Sequence, residues 1–134
     1  MKNHAVIVLH DHGKVLFVKR SAAKKSLPNM WAFPSGTIEE GESKEITLVR
    51  EAKEELGVDV KFEKDLASVE LEDLGARLYF MQCSMINNQP IVFDESEIQQ
   101  IVWLSFEDFF KKFKDEEIGH GLIYLRNHPE IWTN

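Results

Sequence analysis

The chain has 134 residues, 43% of them hydrophobic and 29% charged, enough for one ordinary domain that folds on its own core without disulfides or a structural metal. Cys83 is the only cysteine, which excludes an intramolecular disulfide framework and a cysteine-cluster zinc site and fits a reducing compartment. Sixteen Lys and Arg against 23 Asp and Glu leave a net charge of -7; no basic surface for duplex DNA or RNA is expected, although an acidic cluster holding divalent cations can reverse the sign of one site.

The first twenty residues, MKNHAVIVLHDHGKVLFVKR, interrupt their apolar runs with Asp11, His12, Gly13 and Lys14. They contain neither a signal-peptide core nor the ~20 apolar residues of a membrane span, so a cytoplasmic location without a membrane partner is expected. Residues 5–9 and 15–18 flank that turn and predict a hairpin. A polar loop with Lys24, Lys25 and Pro28 follows, and the apolar run from Met30 to Phe33 ends at Pro34-Ser35-Gly36.

Residues 43–56 carry the strongest helix signal: Ile46, Val49 and Leu56 recur at helical spacing, Ala52 is compatible, Ser43 suits an N-cap and Gly57 a C-cap. No Glu or Gln completes a capping box. Strand-like runs follow at 58–62, 67–71, 77–85 and 98–104, with Asn87-Asn88-Gln89-Pro90 as a turn. Residues 105–113 place Phe106, Phe109, Phe110 and Phe113 at helical spacing, and residues 118–126 do the same with Ile118, Leu122 and Leu125, ending before Pro129. With no repeat, low-complexity tract or linker, the chain reads as one unit over 1–134, an α/β (α+β) sandwich around a mixed β-sheet.

On the helix at 43–56, Glu51, Glu54 and Glu55 share a face, with Glu55 about 40° and Glu54 about 60° from Glu51 around the axis. Three carboxylates in one patch repel unless something positive covers them. Hard oxygen donors suit Mg²⁺, with Mn²⁺ as a substitute, and no neighbouring His or Cys favours zinc. Spacing alone leaves two readings open, a cation site and a solvated acidic face.

The full segment narrows the choice. Gly36, Glu42, Arg50-Glu51, Glu54-Glu55 and Gly57-Val58 stand at the spacings of the Nudix box, with Ala52 and Leu56 at its aliphatic positions. The chain resembles the Nudix hydrolases of MutT type over this motif, the preceding hairpin and Trp31-Ala32-Phe33-Pro34, and the strand after Glu97. The resemblance implies the Nudix fold, an α/β/α sandwich, and hydrolysis of a diphosphate bond in a nucleoside diphosphate linked to another group. Glu51, Glu54 and Glu55 match the family's metal-binding carboxylates, and Gly36, Glu42 and Gly57 its structural positions. Arg50 would orient the cluster and pair with Glu42.

The resemblance also implies a backbone metal ligand at Ser35, where relatives often have glycine; if the position needs positive φ, the serine costs about 1 kcal/mol. Glu97, in Asp94-Glu95-Ser96-Glu97, resembles the distal glutamate that serves some relatives as ligand or base, ahead of Glu95. The general base is left among Glu54, Glu55 and Glu97. Arg20 and Arg77 are candidates for phosphate contact, and Phe33 and Tyr79 for stacking on a base, against the alternatives of surface charge and core packing. Cys83 is expected to fill a strand position as a small apolar side chain.

No downstream proline of the ADP-ribose hydrolases and no tyrosine of the dinucleoside polyphosphate hydrolases is evident, which points to a nucleoside triphosphate pyrophosphohydrolase of the nucleotide-cleaning type. Dinucleoside polyphosphate, ADP-ribose or nucleotide-sugar hydrolysis is the alternative. From a different class, so is a regulatory module that binds nucleotide without cutting it. The expected partner is a small nucleotide, with the chain a monomer or homodimer.

Overall fold

Residues 5–9 are apolar at every position, a pattern that suits a strand covered on both faces. In the computed structural model, which describes residues 1–133, all five are buried. They lie in β1 (Lys2–Asp11), where Ala5, Ile7 and Leu9 enter one core and Val6 and Val8 the other. Along one edge, β1 runs parallel to β6 (Ala76–Met85); along the other it pairs antiparallel with β4 (Ser35–Thr37) over His4–Val6. β5 (Val60–Leu71) continues the sheet antiparallel to β6, and β2 (Lys14–Arg20) carries β3 (Trp31–Ala32) and β7 (Ile98–Leu104). The seven strands form one mixed sheet.

The expected hairpin is present but short. It turns through His12 at φ +51 and Gly13 at φ +78, and only His10–Val15 and Asp11–Lys14 pair. Beyond them β4 takes the edge of β1, so β2 is free to splay toward β7. The runs at 58–62 and 67–71 are a single strand, β5. Their polar link, Glu63-Lys64-Asp65, stays in the ladder because register shifts at Phe62/Lys64 and Asp65/Ala67 absorb the misfit.

One helix covers one face and two the other, the α/β/α sandwich that was expected. α1 (Lys44–Leu56) begins with Ser43 Oγ accepting from the Ile46 N–H at 3.1 Å, and ends with Gly57 at φ +68 returning its N–H to Lys53 O. Of the expected apolar stripe, Ala52 and Leu56 are buried, but its first half is out of phase: Ile46 is 58% and Val49 42% exposed. Thr47 and Leu48 are buried in their place. At about 100° per residue, the inward arc centred on Leu48 contains Ala52, Glu55 and Glu51, while Glu54 falls at its margin. The helix thus turns two glutamates toward the sheet and gives up Ile46 and Val49 to solvent.

α2 (Phe106–Lys112), capped by Ser105, and α3 (His120–Arg126) cover the opposite face. Their core is aromatic: Phe17 stacks on Phe109 with centroids 3.8 Å apart and on Phe33 at 5.3 Å. Cys83 lies buried in β6 under α1, as expected, and burial pushes its thiol up to about 12.

Candidate active site at the α1–β4 edge

Arg50 organises the site. Its Nε and Nη2 donate to Glu42 Oε2 and Oε1 at 2.8 and 2.9 Å, a bidentate fork. Nη1 reaches Glu51 Oε1 at 2.8 Å and Glu54 Oε2 at 3.2 Å, and Nη2 also donates to the Thr37 carbonyl at 3.3 Å. Glu42 further accepts from the Glu39 N–H and Thr47 Oγ1, both at 3.0 Å. Arg50's hydrogen bond, backed by these, holds the Glu42 carboxyl down at about 2. The pairing of Arg50 with Glu42 inferred from the motif is present, and the same guanidinium holds two of the three glutamates.

Gly36 is required by the space Glu51 occupies. A Cβ at this glycine would lie 2.0 Å from Glu51 Cδ and 2.3 Å from Oε1. Its φ is not positive, and neither is that of Ser35, so serine costs nothing in backbone strain there. Ile7 donates to Pro34 O and Ile38 to Asn3 O, each at 2.9 Å. Ladder alternation then leaves Val6–Ser35 and His4–Thr37 as non-bonded pairs, with the Ser35 and Thr37 carbonyls on the outer edge of β4. Thr37's carbonyl receives Arg50 on that edge, and Ser35's points the same way.

Glu55 completes the inner side. Its Oε2 is shut off from solvent and has no hydrogen-bond partner. Burial, reinforced by repulsion from Glu51 and Glu97, pushes its carboxyl up to about 8 against the pull of Lys24 and Arg20. Burial likewise raises Glu51, with Arg50 opposing. Glu97 therefore lies within electrostatic reach of Glu55, and its own carboxylate pairs with Lys24 Nζ.

Among the described residues no trio of His, Cys, Asp or Glu side chains is already gathered as a metal-ligand set, and Glu51 and Glu54 both bond to Arg50. The chemistry of the donors nonetheless fits a hard divalent cation. All are oxygens, and the orphaned Glu55 Oε2 has no positive partner, which its carboxyl needs in order to ionise in this buried position.

Beside this edge, on the face opposite α1, lies a cleft of about 380 Å³ that includes Arg20, Phe33, Ser35 and Gly36. Arg20 lines it while its Nε donates to Ser26 O at 3.0 Å. Phe33 is 6% exposed and otherwise packed in the aromatic core. Arg77 and Tyr79 are not brought to the cleft. Arg77 pairs with Glu70 on the neighbouring strand. Tyr79 faces α1, with Lys44 Nζ 5.3 Å from its ring centroid, because odd positions of β6 point to that side and Leu78 and Phe80 to the other. Sequence reasoning missed His4 and His120, which both line the cleft; burial lowers the His4 pKa, with Lys2 adding to it. The period-two alternation of β1 would have grouped His4 with Val6, whereas no local signal marks His120.

The fold and the arrangement of glutamates and arginine define a Nudix-type domain, and comparison with known proteins agrees. The chain belongs to the Nudix family, matching the NUDIX domain over residues 2–125. It is 30% identical over 108 residues to Nudix hydrolase 8 of Arabidopsis thaliana, covering 78% of this chain and 29% of that protein. The E. coli ORF135 protein superposes with a TM-score of 0.64 at 27% identity, covering 81% of this chain and 76% of that one. A MutT protein from Methanosarcina mazei Go1 superposes at 0.78 with 17% identity, covering 98% and 91%, a likeness of fold. Among the first curated relatives, the chain spans from 29% to at most 58% of their length.

Proposed function

We propose that residues 1–134 form one Nudix domain that hydrolyses a diphosphate bond in a small nucleotide with a divalent cation, as a nucleoside triphosphate pyrophosphohydrolase. The observation that carries this reading is Glu55 Oε2, buried and partnerless within electrostatic reach of Glu51 and Glu97. A carboxylate in that state costs folding free energy; without a cation it keeps its proton, which is why its pKa rises to about 8, and a positive group that joins it displaces that proton.

Glu51, Glu54, Glu55 and the Ser35 carbonyl would hold the cation, with Glu97 joining from the β7 side. Mg²⁺ or Mn²⁺, when bound, supplies neutralisation of the bridging phosphates and of the departing oxyanion. Arg50 keeps the carboxylates aimed, and Glu42 keeps Arg50 in place. Arg20, at the mouth of the cleft and close enough to act on Glu55, pairs with phosphate. The proton of the attacking water passes to one of Glu54, Glu55 and Glu97.

The cleft, about 380 Å³, is at the small end of ligand pockets, which favours one nucleoside over two. The test is turnover of nucleoside triphosphates, nucleotide sugars, ADP-ribose and dinucleoside polyphosphates with Mg²⁺. Pyrophosphate release from triphosphates that EDTA abolishes, and that Glu54→Gln and Glu55→Gln strongly reduce, is expected. Binding of nucleotide recovered uncut would favour the regulatory-module alternative.

A further inference from the structure

Glu97, the distal carboxylate of the glutamate site, is paired with a lysine that the backbone aims at it. Lys24 Nζ meets Glu97 Oε2, and the Lys24 side chain is only 28% exposed, against 53% for Glu97. A lysine that merely solvates a loop keeps its head in water. Here the Ser21 N–H donates to the Glu97 carbonyl at 3.0 Å. Ser21, itself buried, then turns the chain back: its Oγ accepts from the Ala23 N–H at 3.1 Å and its carbonyl from the Lys24 N–H at 3.2 Å. The far end of the loop is fixed to β7, where Gln99 Nε2 donates to the Arg20 carbonyl at 2.9 Å and to Asn29 Oδ1 at 2.7 Å. Lys24 and Glu97 both act electrostatically on Glu55, so the three share one neighbourhood.

We infer that Lys24 is a positioning residue that competes with the divalent cation for Glu97, and so sets the concentration of cation at which the site fills. The inference rests on the hydrolase reading of the glutamates, with Glu97 as a ligand. An ammonium and a dication on one carboxylate are like charges at close range and repel. Loading the cation through Glu97 therefore requires the Lys24 pair to open, and the strength of that pair opposes uptake.

The experiment titrates Mg²⁺ into the full chain by calorimetry at pH 9, above the Glu55 pKa of about 8, so that a proton does not contest the cluster. Lys24→Met, which keeps a long side chain and removes its charge, should tighten Mg²⁺ binding about fivefold or more. Lys24→Arg, which retains the charge and can pair with Glu97, should stay within about twofold of the wild type. A loop that merely loosened would bind the cation more weakly, so the sign of the change separates a structural role from competition. With Glu97→Gln in place there is no carboxylate to contest, and the gain from Lys24→Met should fall to about twofold or less. Should Glu97→Gln leave no measurable uptake, the two Lys24 variants decide. Uptake by the wild type that Lys24→Met weakens or leaves unchanged overturns the competition alone, as does a gain that Lys24→Arg shares or that survives in full with Glu97→Gln. No uptake by either the wild type or Lys24→Met means that the cation reading itself fails, and the competition with it.

Discussion

Substituting Gly36 by alanine probes the contact on which the site geometry depends. The new Cβ would sit 2.0 Å from Glu51 Cδ and 2.2 Å from Cγ, whereas carbon atoms rest at about 3.5–4.0 Å. The carboxylate must therefore retreat by roughly 1.5 Å, breaking its 2.8 Å bond to Arg50. Because the obstructing atoms belong to a side chain that can swing outward, the stability cost is at the low end for overpacking, about 1 kcal/mol, or about 4 °C in melting temperature. Catalysis should suffer far more, since a 1 Å misplacement costs about 10²-fold. Gly41→Ala is the matched control. That glycine has φ +85 with no atom within 4 Å of a built Cβ, so it should lose about 1 kcal/mol through backbone strain and keep its turnover. Thermal melts and kcat under Mg²⁺ saturation read both variants. Equal activity in the two, whether retained or lost, would refute the claim that Gly36 exists to admit Glu51.

Replacing Arg50 by Lys removes the planar fork that serves Glu42, Glu51, Glu54 and Thr37 together, and should lower kcat about 10- to 100-fold while raising the Mg²⁺ concentration for half-activity; a metal titration of activity checks it. Glu55 binds its proton more tightly folded, near 8, than unfolded, near 4.5. The metal-free protein should therefore be more stable at low pH and lose up to a few kcal/mol, roughly, as pH rises from about 4.5 through about 8. Urea titrations in EDTA across that window test the slope, which should flatten in Glu55→Gln. Cys83, buried with its thiol pushed up to about 12, should resist a thiol reagent at pH 8 in the native protein and react with one equivalent in urea.

Much of this site was legible because its determinants are local. Ser43 and Gly57 fix both ends of α1 by side-chain and backbone chemistry that sequence alone displays, and Arg50, Glu51, Glu54 and Glu55 share a turn and a half of the same helix. The phase of that helix was not legible, because Ile46 and Val49 look like core residues until the sheet sets which arc faces inward. Tyr79 and Arg77 misled for a related reason: they share a β6 face turned away from the cleft, a fact fixed by pairing with β1 across more than seventy residues. The cleft itself is assembled from β1, β4, β6, the loop before β3 and the start of α3, and no spacing within one segment reports such a gathering.

Cation binding at this site depends on the buried carboxylate of Glu55. Isothermal titration of Mg²⁺ into the metal-free protein, alongside Glu55→Gln and Glu45→Gln, addresses this directly, since Glu45 begins α1 away from the cluster and should titrate like the wild type. Saturable uptake that Glu55→Gln abolishes and Glu45→Gln preserves is the predicted result. Uptake unchanged by Glu55→Gln, or none in the wild type, would contradict it.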